Sequence, residues 1–391
     1  VKGIFNDEPA FSNFGDTSNG ALPWSETLRE KFIRAKGYDL IPKLYLLFIN
    51  EQTSEIITLK KDYWEVITKA FQESYMRMIS EWCRNNHLEL TGHLLGEEFL
   101  IAHEIQFGDY FSTQKYFSIP GIDSIFSTEY IEQERFNITG NLIGSLAHYQ
   151  KKDRIMCETY SGSGWDTTLG KMKRIANRLM CQGVNMIMFM GAYYPTAGLN
   201  KMLPCGYTPS HGYNNVLFKN YGSLTDYIAK MSYLVANTVK TAKTLVLFPN
   251  ITTVAQLDAR YTHIWEYTLQ DFNEKSSFRQ MDSALAAVVN SLTDLRHSFE
   301  IGFEQLFDNA FVKGGKLYFN ITDEKTGEKE TTDPYEIIIL PAVIYTRSAT
   351  RKIIDEFVNQ GGKLILINDV PKCDIEAFKT YKSFGQPEIE K

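Results

Sequence analysis

Cysteine is scarce and scattered in this sequence of 391 residues. The five cysteines are odd in number, lie far apart and include no Cys-x-x-Cys pair: Cys83, Cys157, Cys181, Cys205 and Cys373. A disulfide framework and a cysteine zinc site are therefore not expected. Unpaired cysteines at such spacings favour a reducing compartment such as the cytoplasm.

Basic runs, long apolar runs and nucleotide-binding signatures are also missing. Lys and Arg number 41 against 47 Asp and Glu, a net charge of −6, and they are spread along the chain. Because no basic stripe can neutralise phosphates, nucleic acid is not an expected partner. The widest apolar runs are too short to cross a bilayer, so no membrane span is predicted. Neither Gly-x-Gly-x-x-Gly nor Gly-x-x-x-x-Gly-Lys-Ser/Thr occurs, so no nucleotide cofactor is predicted.

Apolar and aromatic residues, in contrast, are plentiful. Hydrophobic residues make up 43% of the chain, which contains 25 Phe, 22 Tyr and 5 Trp. This is enough to build a large core, and the length predicts two or three domains. Aromatic rings stack on sugar faces as well as filling cores, and composition alone favours the core interpretation.

The first 243 residues alternate between short apolar runs and amphipathic stretches. The predicted strands are Val1 to Phe5, Leu88 to His93, Ile119 to Ile125, the run that ends at Glu158, and Gly183 to Met190. The predicted helices are Pro23 to Ala35, Asp62 to Asn85, Leu142 to Tyr149, Asp166 to Met180 and Leu224 to Ala242. Five strand-then-helix units predict a parallel α/β fold. Five strands cannot close a (β/α)8 barrel, so either strands precede Val1 or the sheet is open. The start inside an apolar run favours the first, an N-terminally incomplete barrel.

The remaining residues, 244–391, predict a second α/β domain. Its predicted strands are Thr244 to Pro249, Glu336 to Pro341 and Lys363 to Asn368, and its predicted helices include Ala255 to Asn273 and Ala349 to Gln360. This alternation is typical of a doubly wound sheet. In the longest helix of the first domain, a stripe of apolar residues is predicted to face the core: Trp64, Ile67, Phe71, Tyr75, Met78, Ile79 and Trp82.

Polar and aromatic residues follow the predicted strands where each strand ends. Chemistry in parallel α/β folds collects at these carboxyl ends. The candidates are Asp7 and Glu8 before Pro9, then His93, Glu97 and Glu98, then Glu158 and Trp165, and finally Tyr193 and Tyr194. Each also has a structural interpretation: the acids could cap helices or turns, and the rings could pack. His148 and His211 are predicted to be surface or loop residues without a role.

Several of these segments, in their order, resemble glycoside hydrolase family 106, the α-L-rhamnosidases and their relatives. The segments are Phe5-Asn6-Asp7-Glu8-Pro9, Pro23-Trp24, Gly37-Tyr38-Asp39-Leu40, Thr91-Gly92-His93 with Glu97, Pro120-Gly121-Ile122-Asp123, Glu158-Thr159 with Gly164-Trp165, and Gly183-Val184-Asn185 with Tyr193-Tyr194. The resemblance implies that residues 1–243 are the later part of a (β/α)8 barrel and residues 244–391 a non-catalytic flavodoxin-like or amidotransferase-like domain. It also implies an enzyme that removes a terminal deoxy sugar, usually L-rhamnose. Such an enzyme is expected to need a calcium ion and to invert the configuration at the anomeric carbon. Met188-Phe189-Met190-Gly191-Ala192 departs from the polar, His-containing strand end expected there, which leaves the sugar open.

Glycoside hydrolysis needs one protonated and one ionised carboxyl group on either side of the anomeric carbon. Glu8 is predicted to be the general acid, with Asp7 orienting it or raising its pKa, and Glu158, three strands further on, the base or nucleophile. Glu97 or Glu98 could instead be the base or bind calcium. His93 is predicted to contact a sugar hydroxyl or the acid, and Trp165, Tyr193 and Tyr194 to stack on the sugar. A retaining β-galactosidase-like enzyme and a non-catalytic carbohydrate-binding protein are the alternatives.

Overall fold

The computed structural model of the chain describes most of the sequence. The described residues are 2–11, 22–49, 51–124, 136–194, 209–257, 277–323, 326–367 and 372–373. They form an α/β fold with parallel sheets. Within these ranges no helix combines the length and apolar character that a bilayer-spanning segment requires.

Five parallel strands run through the first half of the chain. They are β1 (Gly3–Asp7), β2 (Glu89–His93), β3 (Gly121–Ser124), β4 (Met156–Thr159) and β5 (Met186–Phe189). Pairing joins β1 to β2, β3 to β4 and β4 to β5, and a parallel bridge from Thr91 to Ile119 connects β2 with β3. The strands therefore lie in chain order, as predicted. In the part of the chain that the structure describes, no pairing joins β1 to β5, so the strand topology does not confirm the predicted barrel portion.

Helices connect these strands, and local sequence sets their ends. They are α1 (Glu26–Lys36), α2 (Ser54–Phe71), α3 (Arg77–Asn85), α4 (Leu100–Gln106), α5 (Tyr110–Gln114), α6 (Phe136–Tyr149), α7 (Leu169–Cys181) and α8 (Tyr221–Ala236). The hydroxyl of Ser25 accepts a hydrogen bond from the Leu28 amide at the start of α1, and Gly37, in the left-handed region, ends that helix. Thr168 caps α7 in the same way as Ser25 caps α1. The predicted helix before Gly37 is confirmed.

The long helix before β2 differs from the prediction. It begins at Ser54 and not near Asp62, and a π-helical turn, Gln72–Met76, separates α2 from α3. Three of the seven residues of the predicted core stripe are exposed: Tyr75 (39%), Met78 (62%) and Trp82 (56%). The wider π-helical turn changes the helical phase, because it places more residues in each turn than an α-helix does. The buried stripe on α2 therefore does not continue onto α3.

A second parallel sheet lies in the other half of the chain. Its strands are β6 (Thr244–Leu247), β7 (Phe299–Gly302), β11 (Ile337–Pro341) and β13 (Lys363–Ile367), in the order β13-β11-β6-β7. The predicted strands β6, β11 and β13 are confirmed, and β7 was missed. The other elements are α9 (Asn250–Gln256), α10 (Ser277–Asp294), α11 (Ser348–Asn359), the antiparallel strands β8 (Ala310–Lys313), β9 (Lys316–Thr322) and β10 (Lys329–Thr331), and the pair β12 (Tyr345–Thr346) and β14 (Lys372–Cys373). The predicted helix Ala255 to Asn273 lies outside the described residues after Leu257.

Helix α6 connects the two sheets. The Ser145 hydroxyl accepts a hydrogen bond of 2.9 Å from the amide of Ile301 on edge strand β7. Three residues further on, Nδ1 of His148 lies 2.7 Å from a carboxylate oxygen of the buried Glu300, whose other oxygen accepts a hydrogen bond from the Tyr335 hydroxyl. His148 is therefore half-buried at this contact, and its prediction as a surface residue without a role is wrong.

Gly92 is the point of closest approach between β1 and β2. Its φ is 150°, and a Cβ atom at this position would lie 2.0 Å from the main-chain oxygen of Asn6. We expect Gly92→Ala to lower the free energy of unfolding by about 3 kcal/mol or more, because either the strand pair or the backbone of residue 92 must move. Chemical denaturation measures the change. Gly222→Ala in α8, where an added Cβ meets nothing within 4 Å, is the control and should be neutral or slightly stabilising. Equal stability of the two variants would contradict this account of the strand pair.

Candidate active site

Acidic side chains collect at the carboxyl ends of β1 to β4. Parallel register places Asp7 opposite His93 on the neighbouring strand, and Asp123 opposite Glu158. Glu8 follows β1 directly. The strand ends thus bring together residues that are far apart in the sequence, which includes the predicted Asp7, Glu8, His93 and Glu158.

His93 lies at the centre of this group. It is 1% exposed, and its Nε2 lies 2.7 Å from Oε2 of Glu158 and 3.3 Å from Oδ1 of Asp7. Burial lowers the pKa of His93, but the hydrogen bond to Glu158 and the neighbouring carboxylates outweigh burial and raise it to about 10. A protonated His93 therefore links a carboxylate of β1 to a carboxylate of β4.

Glu8 is held in an unusual backbone conformation. Its φ is 48°, in the left-handed region, and Tyr160, two residues after Glu158, also has a positive φ of 76°. Non-glycine residues in this region are strained, and such strain concentrates at functional sites. Burial raises the pKa of Glu8 to about 7; the charge of His93 opposes this shift, and the charge of Asp7 adds to it. Glu8 therefore has the environment of a carboxyl group that stays partly protonated near neutral pH.

Glu97 is buried close to His93 and Asp123 and is 2% exposed. Its Oε1 accepts hydrogen bonds from the amide of Leu94 and the side chain of Gln114, at 3.1 and 2.9 Å. Its Oε2 has no hydrogen-bond partner among the described residues. Burial raises the pKa of Glu97 well above its usual range. Because burial favours the neutral form of this carboxyl group, the environment disfavours Glu97 in its alternative role as a base.

Sequence reasoning did not assign Asp123, and it left Glu98 as an alternative to Glu97. Burial raises the pKa of both carboxyl groups, and the charge of His93 lowers both. An oxygen of Asp123 forms a group with an oxygen of Glu8 and a ring nitrogen of His93, all within 4.8 Å of one another. The predicted strand Ile119 to Ile125 contained Asp123 but extended beyond it, whereas the observed strand ends at Ser124.

The predicted sugar-stacking residues lie around the strand ends with different exposures. Trp165 follows the turn after β4 and is 42% exposed, and Tyr194 follows β5 and is 99% exposed. Tyr193 is half-buried, and its amide donates a hydrogen bond to the hydroxyl of Ser210. Exposed rings of this kind are available to stack on a ligand, and that role stays a prediction.

His211 lies beside the apolar end of β5. The main-chain amide of His211 donates a hydrogen bond of 2.8 Å to the carbonyl oxygen of Gly191. Its imidazole packs against Tyr160 and Phe189, and its Nδ1 lies 2.8 Å from the hydroxyl of Tyr221. His211 is 6% exposed, so its prediction as a surface residue is wrong, although it does lie in a loop.

The donor atoms of the site can be compared with the needs of calcium. Two groups of described residues bring three possible metal-binding atoms within 4.8 Å: Asp7 with His93 and Glu158, and Glu8 with His93 and Asp123. Calcium takes about six to eight oxygen ligands. Each group supplies only two carboxyl groups beside a nitrogen of His93, so neither group of side chains alone provides the oxygen ligands that calcium takes.

Comparisons with known proteins find similar folds among solved structures only. No model of a known protein family matches the sequence, and no curated protein matches it. Solved structures do match. A rhamnosidase from Novosphingobium sp. PP1Y has a TM-score of 0.59 at 15% identity, over 90% of this chain and 30% of its own. A β-galactosidase from Bacillus circulans sp. alkalophilus has a TM-score of 0.57 at 12% identity, over 95% of this chain and 52% of its own.

A third match is a GH42 exo-carrageenase from Bacteroides ovatus, with a TM-score of 0.59 at 9% identity over 92% of this chain and 48% of its own. The chain thus spans about a third to a half of the structures it matches. These are glycosidases built on TIM barrels, and at such identities the likeness shows the fold alone. The matches support a glycosidase fold and do not single out family 106.

Proposed function

We propose that this chain carries the acid/base site of a glycoside hydrolase that removes a terminal sugar from a glycan. One observation carries the proposal: Glu8 and Glu158 come from separate strands and meet around His93. Glycoside hydrolysis needs two such carboxyl groups on one pocket. The shared fold with rhamnosidase and β-galactosidase structures supports it.

The two carboxyl groups have environments that suit opposite roles. Burial raises the pKa of Glu8 to about 7, so Glu8 can hold the proton that the leaving oxygen needs. Glu158 lies 2.7 Å from Nε2 of the buried His93, and this contact fixes the position of its carboxyl group. Glu8 is accordingly the proposed general acid, Asp7 the neighbour that helps to raise its pKa, and Glu158 the base or nucleophile.

L-Rhamnose in α linkage is the first proposed substrate, and this choice rests on the resemblance to family 106. A retaining β-galactosidase-like enzyme is the second candidate, because β-galactosidase structures are among the matches. The two differ in the role of Glu158, which acts as base in an inverting enzyme and as nucleophile in a retaining one. Calcium is not assigned a step, since neither group of side chains alone provides the oxygen ligands that it takes.

The division of the chain is part of the same proposal. Residues 1–243 are proposed to be the catalytic barrel portion and residues 244–391 a non-catalytic, flavodoxin-like domain. The proposed partner is an oligosaccharide or glycoside, with no nucleotide, nucleic acid or membrane involved. The boundary falls directly before β6, where the second parallel sheet begins.

A panel of aryl glycosides tests the proposal. We expect release of the aryl group from α-L-rhamnoside or β-D-galactoside, and the anomeric configuration of the first product, read by NMR, separates an inverting from a retaining enzyme. Glu8→Gln protein is the matched control and should bind the sugar with strongly reduced turnover of substrates whose leaving group needs a proton. If wild-type and Glu8→Gln proteins bind the sugar equally and neither turns it over, the non-catalytic carbohydrate-binding alternative replaces this one.

A further inference from the structure

The site gathers six carboxyl groups around one imidazole. Burial raises the pKa of five of them, and the charge of His93 lowers the pKa of each: Asp7, Glu8, Glu97, Glu98 and Asp123. The sixth, Glu158, is hydrogen-bonded to His93 directly. Ionised carboxyl groups at one place repel one another, and protonation or a nearby cation relieves this repulsion.

We propose that the His93 side chain is this cation, and that it takes the place of a metal ion at the centre of the site. The geometry supports the substitution. An ion bound between Asp7, His93 and Glu158 would compete with the hydrogen bond of His93 Nε2 to Glu158 and with its 3.3 Å contact to Asp7.

The packing around His93 fixes it in this position. The ring is almost completely buried, and the ring of Phe5 on β1 packs edge-on against it at 5.6 Å. Its contacts join the carboxyl end of β2 to the ends of β1 and β4. A buried charge is stable only when it is paired, and here the partners are carboxylates on two other strands. His93 therefore stabilises the convergence of the strand ends by the same attraction that a bound ion would supply.

The inference does not depend on sugar cleavage, so thermal unfolding tests it separately from the proposed function. The intact chain is treated with EDTA, dialysed and melted with and without millimolar Ca²⁺, Mn²⁺ or Zn²⁺. We expect the wild-type melting temperature to be unaffected by EDTA and by each ion. If EDTA lowers it and one ion restores it, the site holds a metal and the inference is wrong.

The variant His93→Asn removes the charge and leaves the carboxyl groups. We expect its melting temperature at pH 7 to fall, and to recover by at least about 3 °C with a divalent ion or with acid, since either compensates the carboxylates. His148→Asn, which removes the contact between the side chains of His148 and Glu300, is the control and should not gain stability from the ions. If His93→Asn recovers with neither ion nor acid, His93 does not compensate the carboxyl charge. Should His93→Asn fail to fold, the EDTA experiment on the wild-type chain still decides.

Discussion

Replacing Glu158 by glutamine is expected to lower kcat/KM for an aryl glycoside by about 10³-fold, because the amide can neither activate water nor attack the anomeric carbon. The shape of the side chain and its contact with His93 are kept in this variant, so substrate affinity should change little. Steady-state kinetics at a fixed pH measures the loss. The control is Asp166→Asn, which changes an exposed carboxylate eight residues further along and should stay close to wild type.

A mechanism-based label decides which role Glu158 has. With a 2-fluoro glycoside, a retaining enzyme accumulates a covalent sugar on its nucleophile, whereas an inverting enzyme forms none. Mass spectrometry of the peptide that contains Glu158 shows the difference. Labelling of another carboxylate, or a Glu158→Gln variant with wild-type turnover, would remove Glu158 from the mechanism.

Glu8→Gln is expected to lower kcat/KM by about 10²- to 10⁴-fold for substrates whose leaving group needs a proton. The loss should be much smaller for a 2,4-dinitrophenyl glycoside, since that leaving group departs without protonation. The pH profile gives a second result. Burial raises the pKa of Glu8 to about 7, so wild-type activity should fall as the pH rises through about 7, and this limb should vanish in the variant.

Asp7→Asn is the matched test of the environment of Glu8. The negative charge of Asp7 contributes to the raised pKa of Glu8, after burial and against the charge of His93. Removing it should move the basic limb of the pH profile to lower pH and leave the maximal rate largely unchanged. If Glu8→Gln is equally damaging for all leaving groups, or if neither variant alters the basic limb, Glu8 is not the general acid.

The strand ends of the first half of the chain could be predicted because their signals are local. Apolar runs that stop at a polar residue marked Asp7, His93 and Glu158, and parallel pairing then requires these ends to lie at one edge. The register was beyond prediction. Whether Asp7 lies opposite His93 or opposite a neighbouring residue of β2 depends on how β1 and β2 approach each other. That approach is set at Gly92, which has no side chain.

Other features depend on contacts between distant parts of the chain. The environment of Asp123 comes from charges on three other strands, which no local pattern encodes. His211 was dismissed because a lone histidine has no periodic pattern, yet its amide donates a hydrogen bond to the carbonyl oxygen of Gly191, close to the end of β5. Tyr75 and Trp82 continue the apolar periodicity of the preceding helix, and in an unbroken α-helix they would be buried. The π-helical turn interrupts this periodicity. The strands β7, β8 and β10 are only three or four residues long, too short for their pattern to stand out from a loop. Strand β9 does alternate over seven residues and was overlooked.

The contact between α6 and β7 affects how the C-terminal half behaves when it is expressed separately. Strand β7 lies at the edge of the second sheet, and the helix covers that edge through Ser145 and His148. Cut off before residue 244, the C-terminal half would present an open strand and a buried acid without its histidine. An uncovered edge is a template for pairing with another molecule. Separate expression of this half is therefore expected to yield self-associating protein, and any shorter version should keep α6.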